Sequence, residues 1–212
     1  MHPLFLIVAH PVRAAEELQR TPSWLGAFLA IAAGLVVLRL VSQTHLVEAT
    51  LAALPPTATS ADRAWARSIL DNDLLMRCAF LPLRQIAGMG AFALFLYLLC
   101  AASGPPVRAR FAQVFAFEVH AEVLNLLGGY VSFAVARFVP DAKSAGFGTF
   151  ALLTSTNIFT LWYVVALTAG ILTLFGFSKL KAGLLASAAW IVSALFNDIL
   201  LQSVSASMHL RV

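Results

Sequence analysis

Of 212 residues, 60% are hydrophobic and only 11% are charged, with a mean hydropathy of +0.86; soluble domains carry about a quarter charged residues, so the chain reads as a membrane protein. The net charge of +4 comes from Lys and Arg scattered in ones and twos. No basic stripe forms, which argues against a nucleic-acid partner, and charge at span ends is the material of topology. Cys78 and Cys100 make no spacing motif, so neither a disulfide scaffold nor a zinc site is expected.

In chain order, Met1 to Arg20 has no basic stretch before its apolar residues and no small-residue cleavage site, so the first span is expected to act as an uncleaved insertion signal. Pro11 to Arg20 predicts a short helix, with Pro11 in its first turn, Val12, Ala15 and Leu18 at helical spacing and Pro22 ending it. Its expected place is flat in the membrane interface.

Five stretches approach the ~20 residues a helix needs to cross ~30 Å of hydrocarbon: 24–41, 86–103, 112–138, 157–177 and 182–201. In the first, Gly26, Ala30 and Gly34 recur at spacings of four and predict a helix packing face. Residues 42–82 read as one outer loop, broken at Leu54-Pro55-Pro56 and holding an amphipathic helix over 61–78. Ser60 is its expected N-cap, with Asp62 in the first turn. Arg63, Arg67 and Asp71 lie on one side of that helix, and Trp65, Ile69 and Met76 on the other. The remaining connections are short, so sequential helices should be neighbours. The expected fold is all-α: residues 1–212 form one membrane domain, a five-helix transmembrane bundle with a short N-terminal interfacial helix.

Orientation follows from the short loops. Arg108, Arg110, Lys179 and Lys181 have no acidic neighbours and fall on one side with Arg13 and Arg20, which places the N-terminus in the cytoplasm and the C-terminus outside.

The third span is unusual in carrying Glu118, His120, Glu122 and Asn125. A charge at mid-span costs ~2.5–3.5 kcal/mol against ~0.3–0.6 kcal/mol returned by a good apolar residue, so this face should avoid lipid. Glu118, Glu122 and Asn125 share one helix face, while His120 is rotated by about 200° from both glutamates, which argues against a metal site on this helix alone. Candidate partners for the acids are Arg108, Arg110, Lys179 or His10 from the cytoplasmic ends; otherwise the carboxyls are protonated, or water and an ion reach them. Asp198 falls near the outer end of the fifth span, where Arg39 and Arg84 are its expected ion-pair partners. There is no Gly-x-Ser-x-Gly elbow, no P-loop and no paired-cysteine set, and the histidines are dispersed, so no enzyme, cofactor or metal is expected.

His10-Pro11-Val12-Arg13-Ala14-Ala15-Glu16-Glu17-Leu18, Thr21-Pro22-Ser23-Trp24, Phe111-Ala112-Gln113-Val114-Phe115, Leu161-Trp162 and Phe175-Gly176-Phe177-Ser178-Lys179 follow one another along most of the chain. In this order they resemble the bacterial branch of the Yip family, integral membrane proteins named for interaction with Ypt/Rab GTPases. The resemblance implies five spans, a cytoplasmic N-terminus and a non-enzymatic role in organising membranes or binding membrane partners. The chain departs from the family in its third span, where a proline is common and the Glu118 to Asn125 polar run stands instead. The expected function is a scaffold or accessory subunit of the bacterial inner membrane, in contact with the lipid bilayer and with another integral membrane protein or a second copy. The alternative is a small proton or cation transporter using Glu118 and Glu122.

Overall fold

The computed structural model describes residues 2–52, 54–55, 57–104, 109–138 and 158–209, and all regular structure among them is helical. The described residues form seven helices: α1 Pro3–Ala9, α2 Pro11–Arg20, α3 Leu25–Ala52, α4 Ser60–Ala102, α5 Phe111–Phe138, α6 Ile158–Phe175 and α7 Lys179–His209. Among the described residues four segments are long and apolar enough to cross a membrane: Leu25–Gln43, Cys78–Ala102, Phe111–Val135 and Ile158–Phe175. The fifth expected span lies within α7, whose described side chains end at 195.

The stretch expected as an outer loop over 42–82 is a helical hairpin instead. Helix α3 continues to Ala52, and α4 runs unbroken for 43 residues through Pro82. The helix expected over 61–78 is therefore the first part of the second span's own helix. A proline forfeits one backbone bond but does not end a helix whose neighbours pack around it, and such prolines are common in membrane spans. The turn falls at Pro55, where the carbonyl accepts from Ala58 N at 2.9 Å. The N-cap of α4 is Thr59, one residue before the expected Ser60. Thr59 Oγ1 accepts from Asp62 N at 3.2 Å, and Asp62 Oδ2 accepts from Thr59 N at 2.8 Å. This reciprocal capping box needs an acid three residues after the cap, which Thr59 has and Ser60 lacks.

Helix α5 occupies the middle, touching α3, α4, α6 and both N-terminal helices. The main core lies where α1, α2, α4, α6 and α7 close around it, with Ile7, Leu18, Leu124, Leu167 and Ile171 almost wholly buried. A second cluster joins α3 to α4 and α5 through Phe28, Ile31, Met89 and Val119. The face of α3 turned to the bundle thus contains Ala27, Phe28, Ile31 and Ala32. Gly26 and Ala30 are exposed. Only Gly34 of the expected small-residue face makes a close approach, where an added Cβ would stand 2.7 Å from Leu126 Cδ2. Small residues at spacings of four mark a smooth face without saying which neighbour, lipid or helix, lies against it.

The N-terminal hairpin rests on the bundle. Ala14, Ala15 and Leu18 of α2 are fully buried against protein, so this apolar stripe is not left for lipid, as a helix lying on its own in the interface would require. The polar face, with Arg13, Glu16 and Arg20, points outward. Two side-chain bonds hold the hairpin: Gln113 Nε2 donates to the Gln19 carbonyl, and Trp162 Nε1 donates to the Val8 carbonyl at 2.9 Å. Between α6 and α7, Gly176 takes φ +70°, a left-handed conformation that glycine adopts without strain, and turns the chain from one helix into the next. Beside it, Lys181 Nζ donates to the Ser103 carbonyl and stands 4.3 Å from the centroid of the Phe177 ring, tying α7 to the end of α4.

Candidate functional site

The polar residues of α5 do not converge on one pocket; they radiate. Near its start, Gln113 faces α2 while its Oε1 accepts from Arg110 N at 2.7 Å, closing the first turn of the helix. Glu118 faces α6, where the Tyr163 hydroxyl donates to Oε1 at 2.6 Å. His120 faces the opposite way, toward α1, with its ring centroid 6.1 Å from that of His2. Glu122 faces α4, where Gln85 Nε2 donates to Oε1 at 3.0 Å, and Asn125 Nδ2 donates to Oε2 at 2.9 Å from within α5. Tyr130 faces α3 and donates its hydroxyl to the Gly34 carbonyl at 2.7 Å. A helix has neighbours on every side only at the centre of a bundle, and each neighbour here receives one polar side chain.

Glu118 and His120 are the most enclosed of these residues, at 2% and 1% exposed. Glu118 Oε2 and His120 Nε2 have no hydrogen-bond partner among the described residues. His120 Nδ1 donates to the Ala116 carbonyl at 2.7 Å, so Nε2 is the free ring position. Its separation from the glutamates agrees with the 200° expected from helical geometry.

The partners of the acids differ from those expected. His10, Arg110 and Lys179 are exposed, and Arg108 lies outside the described residues. Neutral donors do the work instead: a phenol for Glu118 and two amides for Glu122. Sequence reasoning misses Tyr163, Gln85 and Tyr130, because each becomes a partner only when distant parts of the chain meet. The available signal was weak: one amide just before the second apolar stretch and single tyrosines inside the third and fourth. For the expected ion pair, Arg84 is exposed and Arg39 half-buried, while the side chain of Asp198 lies outside the described residues. Among the described residues, no group of three or more His, Cys, Asp or Glu is placed to hold a metal ion.

Chemically, such an arrangement fixes the register and rotation of helices. The hydroxyl on Glu118 is a phenol, which donates its proton in a buried contact. No family model, no curated protein and no solved structure matches the chain.

Proposed function

We propose that this is a five-span protein of the bacterial inner membrane, with its N-terminus in the cytoplasm, that works without catalysis as a scaffold or accessory subunit for other membrane proteins. The observation that carries the reading is the central helix α5, whose polar side chains each engage a different neighbour and are used in holding the bundle together. Within lipid, apolar burial gives helices little reason to associate, so packing and such interhelical bonds must supply the specificity. Further support comes from four apolar helices of spanning length and from the resemblance to bacterial Yip proteins in the pieces around Pro11, Phe111, Trp162 and Gly176.

Gentle native purification of the full chain, followed by identification of what accompanies it, tests the role. A stable stoichiometric membrane protein is expected. Paired changes of Glu118→Gln and Glu122→Gln should lower the thermal stability of the assembly, and a double variant of unchanged migration and stability refutes the structural use of these acids.

A second reading, transport of a proton, draws on one observation: Glu118 Oε2 is buried without a hydrogen-bond partner among the described residues. Reconstitution in liposomes with a pH-sensitive dye decides. A flux abolished by Glu118→Gln would replace the scaffold reading.

A further inference from the structure

Asn125 stands apart from the enclosed polar residues of α5, because its side chain is exposed. The candidate span of this helix runs over Phe111–Val135, so Glu122 and Asn125 lie within about 3 Å of its midpoint along the axis. Polar groups that persist at such a depth are paired within protein or line a cavity, since lipid tails satisfy none of them. Glu122, and Gln85 of α4, are half-buried. The three side chains thus make one polar patch, at mid-span, that reaches the surface of the bundle.

Its hydrogen bonds set the chemistry of what completes it. Gln85 Nε2 donates to Glu122 Oε1 at 3.0 Å and Asn125 Nδ2 to Oε2 at 2.9 Å, so both amides turn a nitrogen toward the carboxyl and keep their carbonyl oxygens for something else. A carboxylate accepts about four hydrogen bonds, and two are filled here. The patch is therefore rich in acceptors and negative when Glu122 is ionised. One turn away on the same helix face, Glu118 Oε2 is buried and also lacks a hydrogen-bond partner among the described residues. A cation suits such a patch best, since Lys and Arg bring donors and no acceptor.

The helices that follow α5 do not supply one. No Lys or Arg occurs in α6, or in α7 beyond Lys181. In α4, Arg84 is exposed and turned about 100° from Gln85. Within hydrocarbon the remaining source of a cation at that height is another helix crossing beside this one. We infer that Gln85, Glu122 and Asn125 dock a transmembrane helix of another protein through a Lys or Arg near that helix's midpoint. The inference rests on the accessory-subunit reading and membrane placement proposed above, and it supplies the partner chemistry that they leave open.

Association with model helices in liposomes tests it. The full chain carries a donor dye, and synthetic Leu-Ala helices of about 20 residues carry an acceptor dye and a single Lys, Gln or Leu at the centre. By energy transfer, the central-Lys helix should bind the parent chain about tenfold more tightly than the central-Leu helix, and more tightly than the central-Gln helix. Moving the Lys about seven residues toward either end, about 10 Å, should abolish the gain. The gain should also vanish in Glu122→Gln and shrink in Asn125→Leu, the latter at an exposed position. Because the three helices are compared on the parent chain, the decisive measurement needs no variant to fold. Equal binding of the Lys and Leu helices, a Gln helix that matches Lys, or a gain that survives Glu122→Gln would overturn the proposal. A parent chain that treats all three alike yet co-purifies with a stable membrane protein would sink this docking site while leaving the accessory role standing.

Discussion

Replacing Tyr163 by Phe removes one oxygen and nothing else, which makes it the sharpest probe of the bundle's polar core. The hydroxyl donates to Glu118 Oε1 at 2.6 Å, and Glu118 Oε2 already has no partner among the described residues, so the variant leaves the carboxyl without a hydrogen bond from any described neighbouring helix. Two magnitudes bear on the cost. Stranding a buried polar group costs about 1–3 kcal/mol in soluble proteins, whereas interhelical bonds measured within membranes average about 0.6 and reach about 1.7 kcal/mol, because the unfolded chain in lipid also finds partners. Tyr163 and Glu118 are both buried and the bond is short, so the upper part of the membrane range applies and Tyr163→Phe should cost about 1–2 kcal/mol. That is near a tenfold change in the unfolding equilibrium. Glu118→Leu should cost a similar amount by stranding the phenol. Combining the two removes both polar groups, and the pair should fall short of the summed single costs by about 1 kcal/mol. Reversible unfolding in mixed detergent micelles, followed by Trp fluorescence, measures all three variants. Strict additivity, or a Tyr163→Phe cost under about 0.3 kcal/mol, would show that this contact does not hold α5 to α6.

Three further outcomes follow from the geometry. A Cβ on Gly170 would lie 2.5 Å from Phe117 Cε1 in a ring that is itself buried; Gly170→Ala should therefore cost about 1–3 kcal/mol by overpacking. Gly34→Ala, which meets only the flexible tip of Leu126, should cost less, and Gly26→Ala, with nothing within 4 Å, should be neutral or gain up to about 1 kcal/mol of helix propensity. A different rank order in the same unfolding assay would contradict the packing. Trp162→Phe removes the bond to the Val8 carbonyl and should speed amide exchange across 3–20 more than across α5, as read by hydrogen–deuterium exchange mass spectrometry. The Thr59 backbone N–H, and then its hydroxyl, hold the Asp62 carboxyl below its ordinary value. The cap's contribution is then fully present above about pH 3.9, the ordinary carboxylate value, and is lost as pH falls through the lowered folded value. Protection factors at the start of α4, with the intrinsic pH dependence of exchange divided out, should fall on acidification in the parent chain, and Asp62→Asn should remove that dependence.

Much of the architecture was legible because hydrophobic length is a one-dimensional quantity. The four candidate spans follow from runs of apolar residues, and Pro11 and Arg20 bound α2 as the local signals require. The acids of the third span also announced themselves, since Glu118 and Glu122 are too costly for a lipid face. Their partners did not, because Tyr163 and Gln85 lie 45 and 37 residues away and only packing brings them near. The continuity of α4 from Ser60 through Pro82 was not legible, because a helix packed along its length overrides one missing bond and only the fold shows that packing. At Thr59 the signal was present and read one residue late, since Thr59 and Ser60 are both good caps and only the position of Asp62 separates them.

The radiating pattern of α5 also explains why so polar a helix belongs in this membrane chain. A span with one polar face needs one protected neighbour, but Gln113, Glu118, His120, Glu122 and Tyr130 point toward α2, α6, α1, α4 and α3 in turn. Left alone in lipid, such a helix would bear the insertion cost of two acids on a scale where each outweighs about six good apolar residues. Its neighbours must therefore close around it before the native state is reached, and each closing helix is selected by a different group at a different height. A shift of α6 by one residue along α5 would move Tyr163 by about 1.5 Å and rotate it by about 100°, away from the Glu118 carboxyl. Apolar packing in lipid tolerates such slips far better than a buried acid does. On this argument the acids contribute less to how strongly the helices associate than to which single arrangement they adopt. Substituting them singly should broaden the population of packed states before it lowers helix content.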